Sequence, residues 1–178
     1  MIRKIGYYSL LIMVLGFLSC EEPKVVEQKK PRIFPEYSEV LDEIIRTKDG
    51  VIRGIDLNSK AQLITKTETK APSEVDHDYL YFEYTVDSVT NYSIAYSLQK
   101  DSLDEVEVQV NCNDLDLSSR IFNDLKTYYE KKLPNPTEDK GFVVYNCFEG
   151  QRKPFVVSLT DNSTPNKGII NLVIYKDK

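Results

Sequence analysis

From Tyr79 onward the chain alternates. In "YLYFEYTV" the positions Leu80, Phe82, Tyr84 and Val86 are apolar or aromatic against Tyr79, Tyr81, Glu83 and Thr85, and in "YSIAYSL" Tyr92, Ile94, Tyr96 and Leu98 form one face. In "DEVEVQVNC" Val106, Val108, Val110 and Cys112 stand against Glu105, Glu107, Gln109 and Asn111. A period of two is the signature of a strand buried on one side. The joins "DSVTN" and "QKDSLD" are short and rich in turn formers, so the three strands predict an antiparallel meander with one wet face.

Upstream the period is helical. "PEYSEVLDEIIRTKDG" spaces Tyr37, Val40, Leu41, Ile44 and Ile45 for one helix face, with acids early, Arg46 and Lys48 late and Gly50 as a stop. "LNSKAQLITKTETK" predicts a second helix with Asn58 or Ser59 as its cap. The chain then repeats itself: Leu57-Asn58-Ser59-Lys60 matches Leu117-Ser118-Ser119-Arg120, a helix follows, and three more strands run over 142–148, 155–160 and 168–175. The expected fold is α+β in two layers, with helices packed on one face of a mainly antiparallel sheet, in the order ααβββ-αβββ. The folded domain is expected over 36–178, as related halves 36–112 and 113–178.

The first residues have another character. Arg3 and Lys4 precede an apolar run from Ile5 to Leu18 and then Ser19-Cys20. That run is shorter than the roughly 20 residues a membrane-spanning helix needs, and its order is that of a secretory signal peptide over 1–19. "FLSC" resembles the lipobox of bacterial lipoproteins, with Phe17 where Leu is usual. The resemblance implies diacylation of Cys20, palmitate among the acyl chains, and anchorage to the membrane. Glu21 and Glu22 resemble the surface-export signal of Bacteroidetes-type lipoproteins, and the proline-rich, charged stretch up to Pro35 reads as a tether. The address expected is the outer membrane, on its periplasmic or its surface-exposed face.

The helical hairpin and meander, with "GIDLNSKAQLI" leading into "DHDYLYFEY", resemble the small domain shared by BamE-type outer-membrane lipoproteins and the tandem-repeat β-lactamase inhibitor proteins. Residues 36–112 carry that likeness well and 117–176 loosely, since the second half lacks the first helix. It implies a non-catalytic, protein-binding domain without a cofactor.

Charge narrows the partners. Loss of Arg3 and Lys4 with the leader leaves 21 basic against 28 acidic residues, which disfavours nucleic acid and anionic lipid head groups. His77 is the only histidine, and Glu74, Asp76 and Asp78 beside it could hold a hard cation, but "SEVDHDY" has no turn glycine, so a solvated loop explains it better. Asp114 and Asp116 are explained by capping of the helix at Leu117. One histidine is the whole supply of bases for a nucleophile, so no catalytic residue is assigned.

Two cysteines remain after Cys20. In an exported chain Cys112 and Cys147 are expected to form a disulfide, two buried free thiols being the alternative. Asp87-Ser88-Val89 and Asp101-Ser102-Leu103 resemble the O-glycosylation acceptor of Bacteroidetes-type bacteria, which would place sugar on Ser88 and Ser102. Tyr79, Tyr81, Tyr145 and Tyr175 are the expected contacts for a protein partner. The function expected is that of an envelope assembly factor or an inhibitor or immunity protein. The competing class is a small-ligand or glycan binder, or a hydrolase.

Overall fold

The computed structural model describes residues 31–133, 135–147 and 154–177. Three helices and eight strands follow one another as α1 (Glu39–Ile45), α2 (Ala61–Thr67), β1 (Glu74–Asp76), β2 (Tyr79–Thr85), β3 (Thr90–Gln99), β4 (Ser102–Cys112), α3 (Leu115–Lys132), β5 (Thr137–Asp139), β6 (Phe142–Cys147), β7 (Phe155–Asp161) and β8 (Gly168–Lys176). All the strands join one antiparallel sheet in the order β1-β2-β3-β4-β8-β7-β6-β5. Each half is thus a four-strand meander, and the two meet where β4 pairs with β8.

The expected strands are all present, and each meander has one more. β1 and β5 are three-residue edge strands, exposed along their length, which hid in the loops "SEVDHD" and "PTEDKG" because three residues carry no legible period. Short, charged outer strands also blunt the open edges of a sheet.

Register aligns the alternation across the sheet. Phe82, Ile94, Val108, Leu172, Leu159 and Val143 are successive cross-strand partners from β2 to β6, and all are buried. Ile121, Leu125, Tyr128 and Tyr129 of α3 and Val40, Leu41, Ile44 and Ile45 of α1 belong to the same core cluster. One row away, Tyr81, Ala95, Glu107, Val173, Ser158 and Val144 are partners on the opposite face, and each stays at least partly exposed.

The helices obey local chemistry. α3 starts at Asp114, whose carboxylate accepts from Leu117 N at 2.9 Å, and ends with Lys131 and Lys132 where the dipole is negative. α1 has seven residues rather than three turns, because Arg46 turns to φ 60° and closes the helix with its N–H on the Asp42 carbonyl. α2 is capped by neither Asn58 nor Ser59; Lys60 precedes it in extended conformation, and Asn58 sits at φ 72° with its N–H on the Leu103 carbonyl. Only Ile64 of α2 is buried, and Leu63 faces outward. Leu57–Lys60 precede α2, whereas their counterparts Leu117–Arg120 lie inside α3.

Order begins before residue 36. Phe34 is buried, and Arg32 donates from Nε to Asp42 Oδ2 at 2.7 Å and from Nη2 to the Phe34 and Tyr37 carbonyls. Arg32 and Phe34, assigned to the tether with its charges and prolines, are thus tied to α1, where the Phe34 N–H also donates to Asp42 Oδ1 at 2.8 Å. The leader, Cys20 and the glutamates after it lie outside the described residues. No helix among the described residues is long and apolar enough to cross a membrane.

The register rules out the expected disulfide. Cys112 is paired with Gly168 at one end of β8, while Cys147 is paired with Phe155, itself the partner of Lys176 at the other end. Eight residues of strand separate the two rows, about 26 Å at ~3.3 Å per residue, against the 7 Å or less between Cα atoms that a bridge requires. Cys112 is a free, buried thiol, 3.6 Å from Thr90 Oγ1 and 3.1 Å from the Asp114 carbonyl it donates to.

Candidate functional site

Two constellations stand out, one exposed and one sealed. The exposed one is the sheet face turned away from the core. Tyr79 and Tyr81 project from β2 on this face and stack with ring centroids 6.2 Å apart at 11°. Tyr175 of β8 lies on the same face, the direct cross-strand partner of Glu105. All three rings are part-exposed. The Tyr79 hydroxyl is pushed above its ordinary pKa, first by burial and then by Tyr81, Glu74 and Glu107, so it remains a neutral donor across the physiological range.

Tyr145 does not belong with them. It occupies the core face of β6, is fully buried, and donates its hydroxyl to the Lys126 carbonyl at 3.0 Å. The expectation that it meets a partner is therefore corrected. In "FVVYNC" both Val143 and Val144 are apolar, so the alternation does not say which parity faces inward; the pairing with Val157 decides it.

The sealed constellation was not anticipated. Glu68, just after α2, is buried between two arginines: Oε2 lies 3.1 Å from Arg46 Nη1 and 3.2 Å from Arg53 Nη2. Tyr84 donates its hydroxyl to the same oxygen at 2.5 Å and Tyr96 donates to Oε1. Tyr92, stacked on Tyr84 at 4.8 Å and 15°, donates to the Glu43 carbonyl at 3.1 Å. Both guanidinium groups ride over the Tyr84 ring, 4.9 and 5.0 Å from its centroid. Arg53 is wholly buried, with a backbone φ of 53°, and its Nε finds no acceptor among the described residues. Burial and the hydrogen bond to Glu68 raise the Tyr84 pKa to about 12.

Chemically the cluster is a clamp. It fastens the link between α1 and α2 to β2 and β3, and it gives every tyrosine hydroxyl on that part of the core face a partner. A signal existed in the sequence: Tyr84, Tyr92 and Tyr96 fall on the apolar parity of their strands, and buried phenols need acceptors. Which acceptor they would find was not written locally, since Glu68 is 16 to 28 residues away from them.

A hollow of about 530 Å³ lies beside Gly50, lined by Lys48, Asp49, Tyr129, Lys132 and Phe155 among others, and one of about 250 Å³ adjoins it near Leu57 and Lys176. The Lys132 ammonium there donates to the Lys48 and Gly50 carbonyls at 3.0 and 3.3 Å.

The remaining candidates separate cleanly. Ser88 is exposed at the tip of the β2–β3 turn, where Asp87 Oδ1 accepts from Val89 N and Thr90 N. Ser102 opens β4, half-buried, and its Oγ accepts from Lys60 Nζ at 3.1 Å. His77 occupies the exposed β1–β2 turn, and no group of three or more potential metal ligands occurs among the described residues.

No protein-family model, curated protein or solved structure matches this chain.

Proposed function

We propose that this chain is an envelope lipoprotein, held at the outer membrane through acylated Cys20, whose folded domain binds another protein through the open face of its sheet. The observation that carries the reading is the asymmetry of that sheet. One face is sealed into the core, while the other leaves Tyr79, Tyr81 and Tyr175 part-exposed among polar and small residues. Tyrosine offers large, rigid contact area with a polar tip, which suits it to protein interfaces.

The same reading includes two layers, with the helices on one face, and two related halves. Its support is topological: a helix followed by a four-strand meander occurs twice, and the meanders join back to back through β4 and β8. Such a domain works without a catalytic group, as an assembly factor or as an inhibitor or immunity protein. A small-ligand or glycan binder would instead use the hollow beside Gly50, whose size falls within the range of ligand pockets.

Affinity capture from crosslinked cells tests the choice. The intact chain is expected to recover one protein that the Tyr79→Ala/Tyr81→Ala/Tyr175→Ala variant loses while still reaching the membrane fraction. Recovery of no protein, together with a saccharide that protects the hollow, would sink the reading. For the anchor, Cys20→Ser is expected to abolish palmitate incorporation and release the chain from membranes. For modification, Ser88 is the acceptor favoured by exposure over Ser102, and an unchanged intact mass after native expression rejects both.

A further inference from the structure

The charged residues that the eight strands place on the open face of the sheet are all acidic. Alternation and register put Glu74, Asp76, Glu83, Glu105, Glu107 and Asp139 on it, and no Lys, Arg or His stands at a face position of the eight strands. Composition does not produce this, since Lys and Arg number 23 against 28 acids. Four basic groups are paired away from that face: Arg46 and Arg53 on Glu68, Lys126 on Glu138, Lys176 on Asp104.

The charge has a shaped setting. Ser93, Ala95 and Ser97 give β3 a floor of small side chains. On β2 the stacked Tyr79 and Tyr81 stand along one side of that floor, as the cross-strand partners of Ser97 and Ala95. On β4 Glu105 and Glu107 stand along the other side, opposite the same two residues. Two strand spacings, about 10 Å, separate the aromatic wall from the acidic one.

We propose that this trough receives a lysine or arginine side chain presented by an exposed segment of the partner protein. Its alkyl stem lies along the tyrosine rings and its cation sits between Tyr79 and the exposed carboxylate of Glu107. Long cationic side chains combine an apolar stem with a charged head, and a cation over a tyrosine ring near carboxylates is attracted by both. The sign of the charge excludes phosphate-bearing surfaces, which it repels. This inference rests on the protein-binding reading above and adds the chemistry of what is bound.

A photocrosslinking residue at Gln109, on β4 beside the trough, tests it in the full chain in its native cells. The expected adduct is a partner peptide containing Lys or Arg, its yield falling about tenfold in Glu105→Gln/Glu107→Gln, with unchanged circular dichroism. Tyr79→Ala/Tyr81→Ala serves as the second variant and is expected to lower the yield as well. A peptide lacking Lys and Arg, or a yield unmoved by the glutamine pair, overturns the inference and leaves protein binding standing. An adduct with a second copy of this chain also overturns it. Adducts with glycan or lipid alone, or none, overturn both readings.

Discussion

Arg53 and Glu68 form an ion pair 3.2 Å long in which both side chains are completely buried. Removing one partner leaves the other charge without compensation, which typically costs about 3–5 kcal/mol. Glu68→Ala is therefore expected to lower the unfolding free energy read from urea melts by about that amount, since it strands Arg46, Tyr84 and Tyr96 as well. Arg53→Met combined with Glu68→Leu is expected to be less destabilised than the two single changes predict together, because the cluster acts as a unit. Additive losses would show that the pair is not coupled.

The link between α1 and α2 depends on a particular glycine. Gly50 has φ +69°, and a Cβ there would come within 2.7 Å of the Gly54 and Ile55 backbones. Gly54, at φ +75°, would meet only the Thr47 methyl at 3.2 Å. Gly54→Ala should thus carry the left-handed penalty alone, about 1–2 kcal/mol, and Gly50→Ala visibly more. Equal melting temperatures for the two variants would contradict this.

Alkaline pH should loosen the domain through its tyrosines. Tyr84 and Tyr128 are raised to about 12, both chiefly by burial, and Tyr92, Tyr96 and Tyr129 are raised in the same direction. A folded pKa above the unfolded value of about 10 means that the native state holds the proton more tightly. The stabilisation is then complete below pH 10 and is lost as pH climbs through 12. Phenolate absorbance should show a group of tyrosines ionising late and together with unfolding, and Tyr84→Phe should make the pH dependence shallower.

Thiol chemistry checks the register. Alkylation without reductant is expected to leave Cys112 unmodified in the folded chain, where it is buried, and to label both Cys112 and Cys147 once the chain is denatured. A mass consistent with an internal bridge would require a different pairing of β4, β8, β7 and β6.

Much of the fold could be read locally. The six longer strands have alternating or continuously apolar runs, and α3 has its cap and its charges in order, because those signals depend on neighbours within a few residues. The edge strands were too short to show a period. α1 was expected to run longer, because Arg46 reads as a good helical residue until its side chain is claimed by Glu68, 22 positions on. The candidate site was half legible: alternation placed Tyr79, Tyr81 and Tyr175 on the wet face correctly, and misplaced Tyr145 where adjacent valines blurred the parity.

By itself, then, the sequence determined the kinds of element, their order and the face that most strand residues take, since alternation and capping act between close neighbours. Tertiary structure decided what no local pattern encodes. Strand order brought β4 against β8 and put Cys112 and Cys147 at opposite ends of the sheet. Folding also gathered Arg46, Arg53 and Glu68 under three tyrosines, and set two glutamates across β3 from a stacked tyrosine pair. Each of those relations joins residues that come together only when the whole sheet has formed, and their energies arise from burial and distance rather than from position in the chain.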